Sequence, residues 1–396
     1  MGFDFGKIFK LCVGSYRKQA MKSMIIFFCF IASMQGCKEN IGQPKKNLKQ
    51  ITEPLTLGPP GWPWRGITIV SHTVRKEVTE KAIKDLAHKG VNLIRLRLSI
   101  RKFAEKNKIS PEESMESTFL WAEQIVLWST ENNIKVLISV PDFPFDPQKS
   151  YKQTSSKFWD SENDLSQSLE NIKTVVQRFN SFENVVAYEF IAEPVIKGSF
   201  KPRRPLNWNI FFTRIIKTVR ETSDKYILYT PGPGGSPNGY ASMGEKFQDN
   251  RVIYNFHFYR PHKYTHQGVG KYREEYIYPG RIGLTYWNKD KLRDEVNVAL
   301  KWAKENKVNY IFAGEFSVVR NAEGRNRYLA DLLSVFEEKN ISWAYFCFNG
   351  WKGWSYPFEH FDLGKKEKSD IRFNAKKNET EMLLEEFWKK NQIPSE

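Results

Sequence analysis

Cysteine is scarce in this chain of 396 residues: Cys12, Cys29, Cys37 and Cys347 are all it has, so no intramolecular disulfide framework is expected. Cys347, between Phe346 and Phe348, reads as a packed apolar residue. The six histidines show no HExxH or similar ligand spacing, and no metal is expected. Neither GxGxxG nor a P-loop occurs. The glycine-rich PGPGGSPNG at 231–239 lacks the Lys-Ser/Thr that cradling a phosphate requires, so no nucleotide cofactor is indicated. No internal repeat and no second domain is apparent, and the longest N-terminal apolar run, 24–34, is shorter than the roughly 20 residues of a membrane span.

Basic residues are plentiful, with a formal net charge of +16. Residues 1–37 carry five of the 61 basic residues and one of the 45 acids, which leaves +12 on the rest. The charges are scattered and no recognised nucleic-acid motif accompanies them, so they read as a solvated basic surface and no nucleic-acid partner is expected. Aromatic residues reach 15%, with 12 Trp, a supply that suits a cleft lined with flat platforms.

The apolar run MIIFFCFIASM at 24–34 follows Arg17, Lys18 and Lys22, the pattern of a signal peptide. Gly36 directly before Cys37 resembles a bacterial lipoprotein signal, which implies lipidation of Cys37, export across the inner membrane and anchoring at the periplasmic or cell-surface side. Gln35 is unusual at its position in such a signal. Residues 38–58 are polar, without periodic hydrophobicity, and read as a tether. The domain proper then covers 59–396.

From Trp64 onward, strand-like and helix-like runs alternate, the pattern of an α/β protein with a parallel sheet. Strands are expected at 65–70, 91–98, 135–140, 184–191, 226–229, 252–258, 309–314 and 342–348. Helices with three-to-four residue apolar spacing are expected at 77–88, 116–132, 163–180, 207–221, 290–306 and 324–339, and 378–390 would close the ring. Eight strands with intervening helices predict a single-domain (β/α)8 TIM barrel, with a long aromatic-rich loop at 259–289.

Two glutamates close apolar strand runs, Glu193 in VVAYEFIAEP and Glu315 in NYIFAGEF. A carboxylate there sits at the barrel rim, where loops and substrate meet. Between them lies YNFHFY, which puts Asn255, His257 and Tyr259 on one face of a strand. Alternation along the second strand turns Arg95 and Arg97 into the barrel, where burial demands a partner such as Glu189.

These segments, in this order, resemble glycoside hydrolase family 5, the cellulase-type family of retaining barrel enzymes. The string HFYRPHKYTHQG, followed by Tyr278 and Pro279, is the longest specific match. The resemblance implies Glu193 as acid/base, Glu315 as nucleophile, and Arg95, His257 and Tyr259 as supporting residues. It implies no cofactor and a β-linked glycan as substrate, first of all a β-glucan. Mannan or another hemicellulose, or a carbohydrate-binding barrel that has lost turnover, are the alternatives.

The chain also departs from the family pattern. The family's Asn before the acid/base, which contacts the sugar 2-hydroxyl, is Ala192 here. Pro141 and Asp142 stand where a strand-three His would lie, and the Trp at the end of strand eight is displaced. Asn255 is the expected substitute for the missing Asn, and Trp351, with Trp354, the expected sugar platform.

Overall fold

The computed structural model describes residues 58–73, 75–198, 201–351, 353–355 and 377–392. Cys37 and nearly all of the polar tether lie outside them. Eight short strands carry the fold: β1 Arg65–Val70, β2 Leu93–Arg97, β3 Lys135–Val140, β4 Val185–Phe190, β5 Tyr226–Tyr229, β6 Val252–Phe258, β7 Ile311–Phe316 and β8 Ser342–Tyr345. Each pairs in parallel with its neighbour in chain order, and β8 returns to β1 to close the barrel. The expected (β/α)8 architecture is what forms.

The barrel interior changes character along its axis. Leu93, Leu137, Ala187, Leu228, Ile253, Phe312 and Ala344 pack with Trp64 as an apolar plug. Two residues further along the same strands, and so on the same face, stand Arg95, Ser139, Glu189, Thr230 and Asn255, all buried. On the outward face the aliphatic residues, such as Ile94, Leu96 and Ile138, meet the helices in the main core.

The outer layer consists mainly of Glu80–His88, Pro111–Glu131, Glu162–Phe179, Trp208–Arg220, Lys289–Glu305, Arg325–Glu338 and Glu379–Trp388. Side-chain caps fix the starts of five of them, all but Trp208–Arg220 and Arg325–Glu338. Pro111–Glu131 begins five residues before the apolar spacing predicts because Ser110 and Glu113 form a capping box with Pro111 in the first turn. The link from β5 to β6 carries a 3-10 turn, Pro237–Ser242, whose buried Tyr240 packs on Trp302 at 4.8 Å between ring centroids. Segment 259–289 is more ordered than a loop: it holds a short helix, His262–Thr265, and an antiparallel hairpin, Gly280–Ile282 with Thr285–Trp287. An additional helix, Ile100–Asn107, follows β2. Among the described residues no helix is long and apolar enough to cross a membrane.

Candidate active site

The polar layer inside the barrel is a closed ion-pair network. Arg95, fully buried, donates from Nε and Nη2 to Glu189 Oε2 at 2.9 and 2.5 Å, and from Nη1 to Glu315 Oε1 at 2.8 Å. Arg97, one step toward the mouth, donates to the same Glu315 oxygen at 2.6 Å. Two guanidiniums and two carboxylates thus cancel, which is the condition for burying them. Ser139 Oγ donates to Glu189 Oε2 at 2.5 Å, and Asn255 Nδ2 donates to Glu189 Oε1 at 3.0 Å.

Asn255 is therefore not the sugar ligand expected from its spacing. Its amide also donates to Thr230 Oγ1 at 2.8 Å, and its Oδ1 accepts from the Gly314 N–H at 2.7 Å. Both its donors and its carbonyl are engaged within the barrel, and the side chain lies below the mouth. Gly314 permits this approach, because a Cβ there would stand 2.5 Å from Asn255 Oδ1.

Glu315 lies within β7 rather than just past it. A register irregularity between Phe256 and His257 sets His257 opposite Glu315, re-aiming the outer end of β6 toward the mouth. Burial alone would raise the Glu315 pKa. The charges of Arg97, His257 and Arg95 outweigh it and hold the carboxyl at about 2. Its Oε2 accepts from the Tyr259 hydroxyl at 3.3 Å. Burial, reinforced by Glu315 and Glu193, pushes the Tyr259 pKa up, so this hydroxyl keeps its proton.

Glu193 comes three residues beyond β4, after a turn through Ile191 in the left-handed region, φ 57°, uncommon for a β-branched residue. Its side chain is 45% exposed, against 5% for Glu315. His257 Nδ1 lies 2.8 Å from Glu193 Oε1 and 3.9 Å from Glu315 Oε2, between the two acids. One donor atom from each of Glu193, His257 and Glu315 falls within 4.8 Å of the others. A metal ion at these atoms would compete with Arg95 and Arg97, which already neutralise Glu315. An oxygen of Glu193 and one of Glu315 thus lie within 4.8 Å of each other.

A cleft of about 850 Å³ opens over this pair. Of Trp351 and Trp354, Trp354 is the one on its wall. It stacks on Tyr259 at 5.1 Å, and Trp351 stands edge-on behind it at 5.0 Å. The turn after β8 brings the second tryptophan of WKGW forward, a reversal that spacing does not encode. Phe346 takes the wall position at the end of β8, with Arg97 5.7 Å from its ring centre. Of the motif residues, His266 lines the cleft, whereas Gln267 accepts from the Tyr276 N–H and braces the following segment. Trp287 and the Arg97 side chain also line it, without having been singled out as ligands from sequence. Arg97 was legible through strand alternation, Trp287 through nothing more than aromatic content.

The family described as "Cellulase (glycosyl hydrolase family 5)" matches residues 58–352. "Endoglucanase C" of Acetivibrio thermocellus is 23% identical over 322 residues, covering 74% of this chain and 88% of that protein. "Endoglucanase 3" of Fibrobacter succinogenes is 21% identical, covering 69% of this chain and 46% of its own length. Among solved structures, a glycoside hydrolase superposes with a TM-score of 0.64 at 18% identity, covering 83% of this chain and 99% of that one. The endoglucanase Cel5A of Thermotoga maritima superposes with a TM-score of 0.57 at 20% identity, covering 74% and 91%. These superpositions agree with the closed eight-stranded barrel, and the match over 58–352 spans all eight of its strands and both rim glutamates. The chain belongs to the cellulase family, glycosyl hydrolase family 5, and is a glycoside hydrolase.

Proposed function

We propose that the protein cleaves a β-linked glucan by double displacement, with Glu315 as nucleophile and Glu193 as acid/base. The observation that carries this is the approach of the two carboxylates to within 4.8 Å in opposite surroundings. Glu315, held ionised by Arg97 and Arg95, attacks the anomeric carbon through Oε2, while Oε1 stays on the guanidiniums. Glu193, at the solvent side, gives its proton to the departing glycosidic oxygen. Water then enters, Glu193 takes its proton, and the glycosyl ester on Glu315 is released with net retention. His257 fixes Glu193 through Nδ1, and Tyr259 steadies the attacking carboxylate. The endoglucanase relatives support glucan as the first substrate to try, with mannans and xylans as further arms of the same panel.

We assign Cys37 the lipid anchor, with residues 38–58 lifting the barrel from the membrane, on the strength of the apolar run and the Gly36-Cys37 junction. Cys37→Ser is expected to move the protein from the membrane to the soluble fraction; unchanged fractionation would sink this assignment.

The roles of the acids separate by stereochemistry. Glu315→Ala is expected to lower turnover ~10⁴-fold or more while substrate still binds. Azide then restores cleavage of an activated aryl β-glycoside with an inverted product. Glu193→Ala with azide gives a retained product, because the first step survives a good leaving group. The opposite pairing of variants and products would reverse the assignment, and no rescue with either would remove it.

A further inference from the structure

The wall of the cleft that continues from Glu193 carries two exposed lysines. Between Glu193 and Glu221 the chain has no acid and seven basic residues, of which Arg214 and Arg220, on the outer helix, pair with Glu162 and Asp249. A bridge from Ile196 to Arg203, with N–H···O distances of 2.8 and 3.0 Å, folds this segment back as a turn. Lys197 and Lys201, both exposed, line the cleft beside Glu193. Neither has a carboxylate within 4.0 Å among the described residues, in contrast to Arg97 on Glu315 and to Arg260, which meets Glu295 at 2.7 Å. The carboxylates lining the cleft are Glu193 and Glu315, and the second is already neutralised from below. A neutral sugar polymer gains nothing from such a field, whereas a glycan carrying negative groups is drawn in and oriented by it.

We propose that the substrate is an anionic β-linked glycan, whose carboxylate substituents pair with Lys197 and Lys201 beside the scissile bond. This rests on the reading of Glu193 and Glu315 as the cleaving pair and deepens it from a glucan to an acid-bearing one.

The test compares two soluble cellulose ethers of equal substitution, carboxymethyl-cellulose and hydroxyethyl-cellulose, by kcat/KM and by retardation of the intact protein in gels containing each polymer. At low salt the anionic polymer is expected to be favoured about tenfold by both readouts, and the preference should fade as ionic strength shortens the screening length. Lys197→Ala/Lys201→Ala is expected to bring the ratio close to one. A basic protein adheres to any polyanion, so the control is Lys301→Ala/Lys304→Ala, which removes the same charge from an exposed helix away from the cleft and should leave the ratio in place. Equal use of both polymers, or equal loss of preference in the control, overturns the proposal while the glycosidase reading stands. If neither polymer is cut, the β-glucan reading falls, and retardation still decides for or against the lysines.

Discussion

Glu315 and Glu193 stand side by side in different worlds. The floor around Glu315 is a network of charged and amide groups paired with one another: Arg95 and Arg97 on Glu315, Arg95 and Ser139 on Glu189, Asn255 on three partners. The rim around Glu193 is half-open, with His257 as its side-chain partner among the described residues and lysines without a carboxylate partner next to it. The floor holds the pKa of one carboxylate below its ordinary value through Arg97, His257 and Arg95. The rim leaves the other open to solvent. A double displacement needs this asymmetry, since one acid must attack and its neighbour must shuttle.

The largest effect is expected from unbalancing the floor. Glu189→Ala removes the partner of Arg95 on one side and leaves a buried guanidinium short of charge and acceptors, at a cost of about 3–5 kcal/mol. Urea unfolding should show the loss as a lower midpoint. The same substitution at Glu193, on the rim, should shift the midpoint by less than about 1 kcal/mol. Equal shifts at the two sites would dissolve the contrast between floor and rim.

Next in size is the pH dependence tied to Glu315. Its folded pKa lies below its ordinary value near 4.5, because the charges of Arg97, His257 and Arg95 outweigh the effect of burial. A depressed carboxyl contributes stability that is present above the unfolded pKa and lost as pH falls through the folded one. Glu315→Gln, a stand-in for the protonated acid, should therefore be less stable than wild type at neutral pH, with the gap closing between about pH 4.5 and 2. Melting curves across that window test it, and a gap that persists unchanged to pH 2 would mean the carboxylate's charge is not what Arg95 and Arg97 respond to.

A smaller effect sharpens the rim. Trp354→Ala should raise KM several-fold, on the order of 1 kcal/mol of stacking on the sugar, with kcat less affected. Trp351, whose ring meets Trp354 edge-on and is not among the residues lining the cleft, should move KM less when changed to Ala. The reverse order would restore the platform to Trp351, where the sequence first suggests it.

Floor and rim also differ in how far the sequence discloses them. Period-two alternation is enough to send Arg95, Arg97 and Glu189 into the barrel, because a strand has two faces and the aliphatic residues claim the outer one. The order of apolar runs is enough for the barrel itself. The rim depends on turns, where backbone direction is set by local hydrogen bonds and by packing between distant segments. Hence Trp354 exchanges places with Trp351, and segment 259–289 forms a hairpin that carries Trp287 to the cleft. Asn255 shows another limit of pattern: facing inward does not decide which partners a side chain meets, and its amide donates to Glu189 and Thr230 while its oxygen accepts from Gly314.

The smallest expected change lies where floor meets rim, at Ala192. The family resemblance places an asparagine there, in contact with the sugar 2-hydroxyl, and the methyl of Ala192 cannot make that bond. Asn255 cannot replace it, since its amide is committed beneath the mouth. Ala192→Asn should therefore raise kcat a few-fold on a β-glucan oligosaccharide with KM little changed, because this contact strengthens in the transition state. Ala192 is 1% exposed, so a larger side chain also risks overpacking of about 1–3 kcal/mol, and melting temperature must be followed beside the kinetics. A stable variant with unchanged kcat would show that another group of the rim already holds the 2-hydroxyl. A stable variant with raised KM would show instead that the room left by alanine admits a substituent on the substrate, which is what an acid-bearing glycan beside Lys197 and Lys201 would require.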